Sequence, residues 1–159
     1  MPATQSRVLV RLVRSDSPEA TRSLAAELAG AARPGDLIAL RGELGAGKTQ
    51  FAKGFGQGLG VTATINSPSY VLMAEYEGRL PLFHLDLYRL DDGADALAGG
   101  LLDERQADGV TLVEWAERLG PALPGDRLDV EFTGSGDEPR TIRLTATEAG
   151  LERYLAAIS

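Results

Sequence analysis

Lys48 and Thr49 stand directly behind three spaced glycines, Gly42, Gly45 and Gly47, with Ala46 between the last two. The run from Gly42 to Thr49 fits the pattern G-x-x-x-x-G-K-[ST], the Walker A signature, without a mismatch. Glycines so placed let the backbone curl until successive amide hydrogens point inward, and a helix starting behind them adds positive potential at its N-terminus. Such a cradle holds phosphate oxygens. Lys48 would reach the β- and γ-phosphates, and Thr49 would offer its hydroxyl to a magnesium ion shared with the nucleotide. Gln50 continues the same helix start and joins the nucleotide-binding candidates. The apolar run Leu37 to Leu40 precedes the loop, and Phe51, Phe55 and Leu59 follow at helical spacing, which is the strand-loop-helix context the motif requires. ATP and Mg2+ are the expected ligands. A GTPase would add an Asn-Lys-x-Asp element, and with Lys48 and Lys53 the only lysines in the chain none exists.

A phosphate loop needs a second acid for the metal, held directly or through water, and a group that orients the attacking water. Asp86 and Glu114 stand at the carboxyl ends of two apolar runs, Leu82 to Leu85 and Val110 to Val113. In a parallel sheet that edge is where ligands bind. Each acid could also be an ordinary surface turn residue. His84, the only histidine, alternates with Asp86 on one side of its strand, and either packs in the core with its ring hydrogen-bonded or takes part in the chemistry. Trp115, the only tryptophan, follows Glu114 and either stacks near the site or packs behind the strand.

These residues need a frame. Val8 to Val13 reads as a first strand, and Ser15-Asp16-Ser17-Pro18-Glu19 combines an N-cap serine, a proline at the first helical position and an acid in the first turn. Leu24, Leu28 and neighbouring alanines form its apolar stripe, and Pro34-Gly35 ends the helix before the strand that feeds the phosphate loop. The helix behind the loop carries Gly54, Gly56 and Gly58, each costing about 1 kcal/mol relative to alanine. Close packing against the sheet or a partner would offset that cost; otherwise the helix is weak. Gly60 is its expected C-cap.

The segment Thr62 to Ser69 is a polar loop with hydroxyls at four positions. Tyr70 to Tyr76 and Leu80 to Asp86 form a hairpin across Glu77-Gly78-Arg79, which makes the sheet mixed. Asp91 to Asp108 is acidic, broken by Gly99-Gly100 between two short helical stretches, and reads mostly as solvated surface. Leu128 to Phe132 and Thr141 to Leu144 form a second hairpin, and Thr147 is placed to cap a last helix presenting Leu151, Leu155 and Ile158.

A chain of 159 residues is expected to be a single domain spanning 1–159. A formal charge of −7 and a pI near 4.7 argue against direct contact with nucleic acid. The absence of cysteine removes disulfides, thiolate metal sites and cysteine nucleophiles together. Neither an N-terminal apolar region nor a membrane-length run is present in the sequence, so a cytoplasmic location is the default.

Taken in order, Gly-Glu-Leu-Gly-Ala-Gly-Lys-Thr at 42 to 49, Asn-Ser-Pro-Ser-Tyr at 66 to 70, His-Leu-Asp-Leu-Tyr-Arg at 84 to 89 and Val-Glu-Trp-Ala-Glu at 113 to 117 resemble the bacterial TsaE family. The resemblance covers most of the chain. It implies an α/β, three-layer P-loop NTPase fold with a mixed central sheet flanked by helices, weak ATP hydrolysis, and work in a complex with the TsaB and TsaD proteins that carry out threonylcarbamoyl transfer to the adenosine beside the anticodon in tRNA. Contact with tRNA would then be indirect. By matching position, Lys48 and Thr49 are the phosphate and magnesium contacts, Glu114 is similar to the family's metal-site acid, and Asp86 to its hydrolysis-critical acid. Ser67 and Ser69 resemble the family's switch-like loop, where Ser-Pro-Ser here replaces the usual Ser-Pro-Thr and keeps the hydroxyl. The segment at 91 to 102 is poorer in acids than the family's usual form. Two other readings share the phosphate loop. A small-molecule kinase would add an arginine-bearing lid, and no arginine-rich stretch is visible; a non-catalytic nucleotide-dependent switch is compatible with the same residues.

Overall fold

The computed structural model describes residues 8–43, 45–65, 73–88, 104–134, 136–147 and 151–158. Its strands are β1 (Leu9–Ser15), β2 (Leu37–Arg41), β3 (Met73–Tyr76), β4 (Leu82–Asp86), β5 (Val110–Glu114), β6 (Leu128–Thr133) and β7 (Arg140–Ala146). The helices are α1 (Pro18–Ala29), α2 (Lys48–Gly58) and the short α3 (Glu152–Ala156), with 3-10 segments at Glu104–Asp108 and Ala116–Ala122. No helix among the described residues is long and apolar enough to cross a membrane.

The seven strands form one sheet in the order β1-β7-β6-β2-β5-β4-β3. β6, β2, β5 and β4 run parallel; β7 and β3 run opposite to them, and the edge strand β1 pairs antiparallel with β7. The sheet is mixed, as expected from the two hairpins. β2 lies at the centre and is buried on both faces, which is why it reads as an unbroken apolar run rather than an alternation. Ile38 and Leu40 face a layer containing Phe51, Phe55 and Leu28 from the two long helices. Leu37 and Ala39 face the opposite layer, where Phe83, Leu85 and Val113 meet Ala116 and Leu119.

Ser17 is the N-cap of α1, accepting from the Ala20 amide at 3.0 Å, and Pro18 takes the first position, where its missing N–H costs nothing. The glycines of α2 have an identifiable purpose. A β-carbon at Gly54 would lie 2.1 Å from the Arg22 carbonyl oxygen, and one at Gly58 would lie 2.5 Å from the Ala26 carbonyl oxygen. The two helix backbones therefore approach more closely than any side chain would permit. At Gly56 the same atom would strike Ile65. Gly60 follows the end of α2 with φ of 81°, the left-handed turn that favours glycine.

The start of β2 is tied to the far end of the chain. Tyr154 donates its hydroxyl to Asp36 at 2.5 Å, and Arg153 pairs with the same carboxylate. Burial pushes the Tyr154 hydroxyl well above its ordinary pKa, and the neighbouring Asp36 carboxylate adds to that. Arg11 closes α3 by donating to the carbonyls of Leu155 and Ile158.

Three expectations change. The first strand runs from Leu9 to Ser15, past the polar residues Arg14 and Ser15, because pairing with β7 extends it. Thr147 does not cap the last helix: its hydroxyl accepts from the Arg127 amide at 3.0 Å and sits 2.6 Å from the Arg127 carbonyl. The helix begins instead behind Leu151 with no side-chain cap. Within the segment read as solvated surface, Gln106 is buried and reaches Met73. The rest of that segment, from 91 to 103, and the loop residues Ser67 and Ser69 lie outside the described residues.

Candidate functional site

β2 delivers the chain into the glycine loop, and α2 carries it out. Gly42, Gly45 and Gly47 have φ of 149°, 81° and 115°, so each of the motif's glycines uses backbone space that a side chain disfavours. Gly42 is also under Phe132, whose β-carbon and carbonyl oxygen would be 3.0 and 3.1 Å from an added β-carbon. Gly47 is the N-cap of α2 and offers no side chain, so the first-turn amides of the helix are not taken by a side-chain cap. Arg140 braces the loop from β7, donating to the carbonyls of Ala46 at 3.1 Å and Gly45 at 3.3 Å.

Lys48 is buried and folded back over this loop. Its ammonium donates to the carbonyls of Gly42 at 2.5 Å and Glu43 at 3.0 Å, and lies 4.2 Å from the centroid of the Trp115 ring. Burial lowers its pKa from the ordinary lysine value, while the charges of Glu114, Glu117 and Asp86 work in the opposite direction. Trp115 is the one non-glycine residue with positive φ among the described residues, at φ 59° and ψ 45°. Strain of this kind costs on the order of 1–3 kcal/mol and concentrates at working sites. The turn aims the ring back over Lys48, and Tyr88 packs on it with centroids 5.0 Å apart. The sequence left stacking and packing open for Trp115, and both occur, since it also packs against the second core layer.

On the other side of Lys48, Thr49 Oγ1 and Glu114 Oε1 face each other at 3.5 Å. That is longer than an ordinary O–H···O bond. Glu114 Oε2 lies 2.5 Å from Nε2 of His84, so His84 is a buried histidine hydrogen-bonded to the site's acid. Asp86 pairs in register with Glu114 across β4 and β5, and its Oδ1 accepts the Tyr88 amide at 3.0 Å. A cleft of about 360 Å³ collects Lys48, Thr49, Gln50, Asp86, Glu114 and Trp115 in one wall. The side chain of Gln50 is turned toward α1, where Arg22 donates to its Oε1 at 2.5 Å.

The donors at the far end of this cleft are a hydroxyl and a carboxylate, hard oxygens that suit Mg2+. Among the described residues no cluster of three or more acids and histidines forms a closed cage. Mg2+ does not call for one, because it usually keeps several waters and takes phosphate oxygens beside one or two protein groups. Thr49 and Glu114 fit that description.

Sequence reasoning missed three features here. Arg140 sits 94 positions from Ala46, and no local pattern marks it. A second cleft, of about 430 Å³, shares Gly45, Gly47 and Gln50 with the first and is lined otherwise by residues that include Ser17, Thr21 and Gly136. The third is a cavity of about 880 Å³ that continues past Tyr88 and Trp115 toward Arg41 and Arg118.

The model of the family described as threonylcarbamoyl adenosine biosynthesis protein TsaE matches residues 15–142. The tRNA threonylcarbamoyladenosine biosynthesis protein TsaE of Bacillus subtilis (strain 168) is 45% identical over 134 residues, covering 84% of each chain. The protein of the same name from Streptomyces coelicolor is 40% identical over 141 residues, covering 86% of this chain and 95% of that one. The crystal structure of Bacillus subtilis YdiB superposes with a TM-score of 0.75 at 36% identity, over 96% of this chain and 94% of that chain. The mixed sheet with its glycine loop and flanking helices is a P-loop NTPase-like fold.

Proposed function

The chain belongs to the TsaE family of threonylcarbamoyl adenosine biosynthesis proteins, and on that premise we propose that it is a cytoplasmic, magnesium-dependent ATPase serving threonylcarbamoyl modification of the adenosine beside the anticodon in tRNA. The observation that carries this reading is the opposition of Thr49 Oγ1 and Glu114 Oε1 at 3.5 Å in the same cleft as Lys48. A phosphate cradle alone would say only that a nucleotide is held. Two hard-oxygen donors beside it supply a place for the ion that ATP brings.

Each part of the chain has a task in this reading. The amides of the Gly42 to Thr49 loop and the start of α2 hold phosphate oxygens. Lys48 exchanges the carbonyls of Gly42 and Glu43 for phosphate. Thr49 and Glu114 hold magnesium, which, when bound, neutralises charge developing on the phosphates. Asp86 orients the attacking water, and its short polar tether to the Tyr88 amide fixes one of its oxygens. The cleft between Ser17, Thr21 and Gly136 takes the nucleoside end, because it borders the same glycine loop and is not lined by Glu114. Asp86, Glu114 and Lys48 are the catalytic groups in this reading, and hydrolysis is slow, in keeping with a cleft that no arginine lines among the described residues.

The output is a partner's activity. The acidic chain, at −7, is poorly suited to hold tRNA, and TsaB and TsaD are the proposed partners. Retention of purified TsaB and TsaD by the tagged chain, compared in ATP, in ADP and without nucleotide, tests this. Retention that depends on the nucleotide is expected. Absence of retention in all three conditions, with magnesium ATP bound normally, would sink the partner assignment and leave a small-molecule kinase or an unrelated switch.

A further inference from the structure

His84 occupies a place where a leucine would serve packing equally well. It is 0% exposed, in the same layer as Leu82 and Leu112. Its Nδ1 is buried with no hydrogen-bond partner among the described residues. A buried polar nitrogen left unpaired costs about 1–3 kcal/mol. What the histidine adds over an aliphatic residue is therefore at its other nitrogen, Nε2, which lies 2.5 Å from Glu114 Oε2. An ionised carboxylate only accepts, so His84 donates.

The geometry gives that bond a consequence for the opposite oxygen. The terminal torsion of a glutamate is broad, and rotamer preference does little to choose where its two oxygens point. In this protein Oε2 is held from below by His84, and Oε1 is thereby turned toward Thr49 Oγ1 at 3.5 Å. The sheet register makes the arrangement possible: His84 pairs with Leu112 and Asp86 with Glu114 on neighbouring parallel strands, which places the ring one step deeper than the acid.

We propose that His84 is a positioning residue for the metal side of the nucleotide site, holding Glu114 so that Oε1 faces Thr49 and a hard divalent cation is bound between them and the nucleotide. This rests on the magnesium role given above to Thr49 and Glu114. Groups that orient a metal ligand in this way typically contribute 10–100-fold in metal affinity without touching the ion.

The test uses Mn2+ as a paramagnetic probe, titrated in the presence of saturating ADP and followed by electron paramagnetic resonance, with ADP affinity measured separately in EDTA. His84→Leu is expected to weaken Mn2+ binding by about 10- to 100-fold while leaving ADP affinity in EDTA unchanged. His84→Gln, whose amide N–H has a reach similar to that of the imidazole Nε2, is expected to recover most of the loss. His84→Asn, whose amide stops short, is expected to resemble His84→Leu, and the Gln and Asn pair carries the comparison if the leucine variant does not fold. Unchanged Mn2+ affinity in His84→Leu or His84→Asn overturns the positioning role alone. So does an equal loss in all three variants accompanied by loss of ADP affinity in EDTA, since that is a purely structural effect. Failure of the unsubstituted protein with ADP to bind Mn2+ overturns the magnesium reading of Glu114 itself and this proposal with it.

Discussion

The ammonium of Lys48 rests 4.2 Å from the centroid of the Trp115 ring while it donates to the carbonyls of Gly42 and Glu43. In the proposed reading all three contacts stand in for phosphate, and none is as strong as a charge-assisted bond between two ions. A nucleotide bound there would compete for Lys48 against the loop's own backbone. Lys48→Ala should lower ATP affinity by about ten- to a hundredfold, from hydrogen bonds to charged groups worth about 1.5–3 kcal/mol. Isothermal calorimetry with magnesium ATP measures it, and unchanged affinity would remove Lys48 from the site.

The same contact makes Trp115 a built-in reporter. It is the only tryptophan, so all indole emission comes from a ring lying between a buried cation and Tyr88. When the cation moves to phosphate, the ring loses a contact worth about 0.5–2 kcal/mol and its surroundings change. Emission intensity should shift on adding magnesium ATP, and the shift should be absent in Lys48→Ala. A flat titration at nucleotide concentrations that saturate by calorimetry would contradict the proposed exchange.

Burial, the largest influence on Lys48, lowers its pKa from 10.5. In the window between that lowered value and 10.5, the unfolded chain binds more protons than the folded one, so the contribution of Lys48 to stability rises with pH there and its burial cost is fully present below it. Nucleotide binding has the opposite sign, because phosphate needs the charged form. ATP affinity should fall as pH rises through that window, by up to about tenfold in the lysine's contribution per pH unit. Lys48→Arg, which stays charged throughout, should show a flatter profile. Parallel profiles for the two proteins would place the titrating group elsewhere.

How far the sequence reached can be judged residue by residue. Lys48, Thr49 and the glycines were legible because the loop is local: eight consecutive residues specify its turns and its charge. Asp86 and Glu114 were legible because a strand end is a position that apolar runs mark. What escaped depends on which strands become neighbours. The bond from His84 to Glu114 exists only because β4 lies beside β5, and the brace from Arg140 to Ala46 only because β7 returns to the loop. The 3-10 segment Ala116–Ala122 follows no periodic pattern, being interrupted by Gly120. Thr147 had the right type for a cap, and a tertiary partner, the backbone of Arg127, took it instead.

The glycines of α2 were legible as an anomaly and explained only by α1. At Gly54 an alanine β-carbon would lie 2.1 Å from the Arg22 carbonyl oxygen and 2.5 Å from the Arg22 Cα, so the obstacle is backbone and cannot rotate away. Gly54→Ala would gain about 1 kcal/mol of helix propensity, against about 1–3 kcal/mol or more for forcing packed elements apart. The overlap here is severe enough that the second effect should win, with a net loss of about 2 kcal/mol in chemical denaturation. Separating the helices has a further cost, because α2 begins at Lys48 and Arg22 also holds Gln50. Nucleotide affinity should therefore fall in Gly54→Ala although residue 54 touches no ligand. Gly60→Ala is the control: unlike Gly54 it has a glycine-like φ of 81°, but an added β-carbon meets nothing within 4 Å, so it should lose about 1–2 kcal/mol from backbone strain and keep its nucleotide affinity. A Gly54→Ala protein as stable as the original, or one whose affinity matches that of Gly60→Ala, would show that the close approach of α1 does not set the position of the phosphate loop.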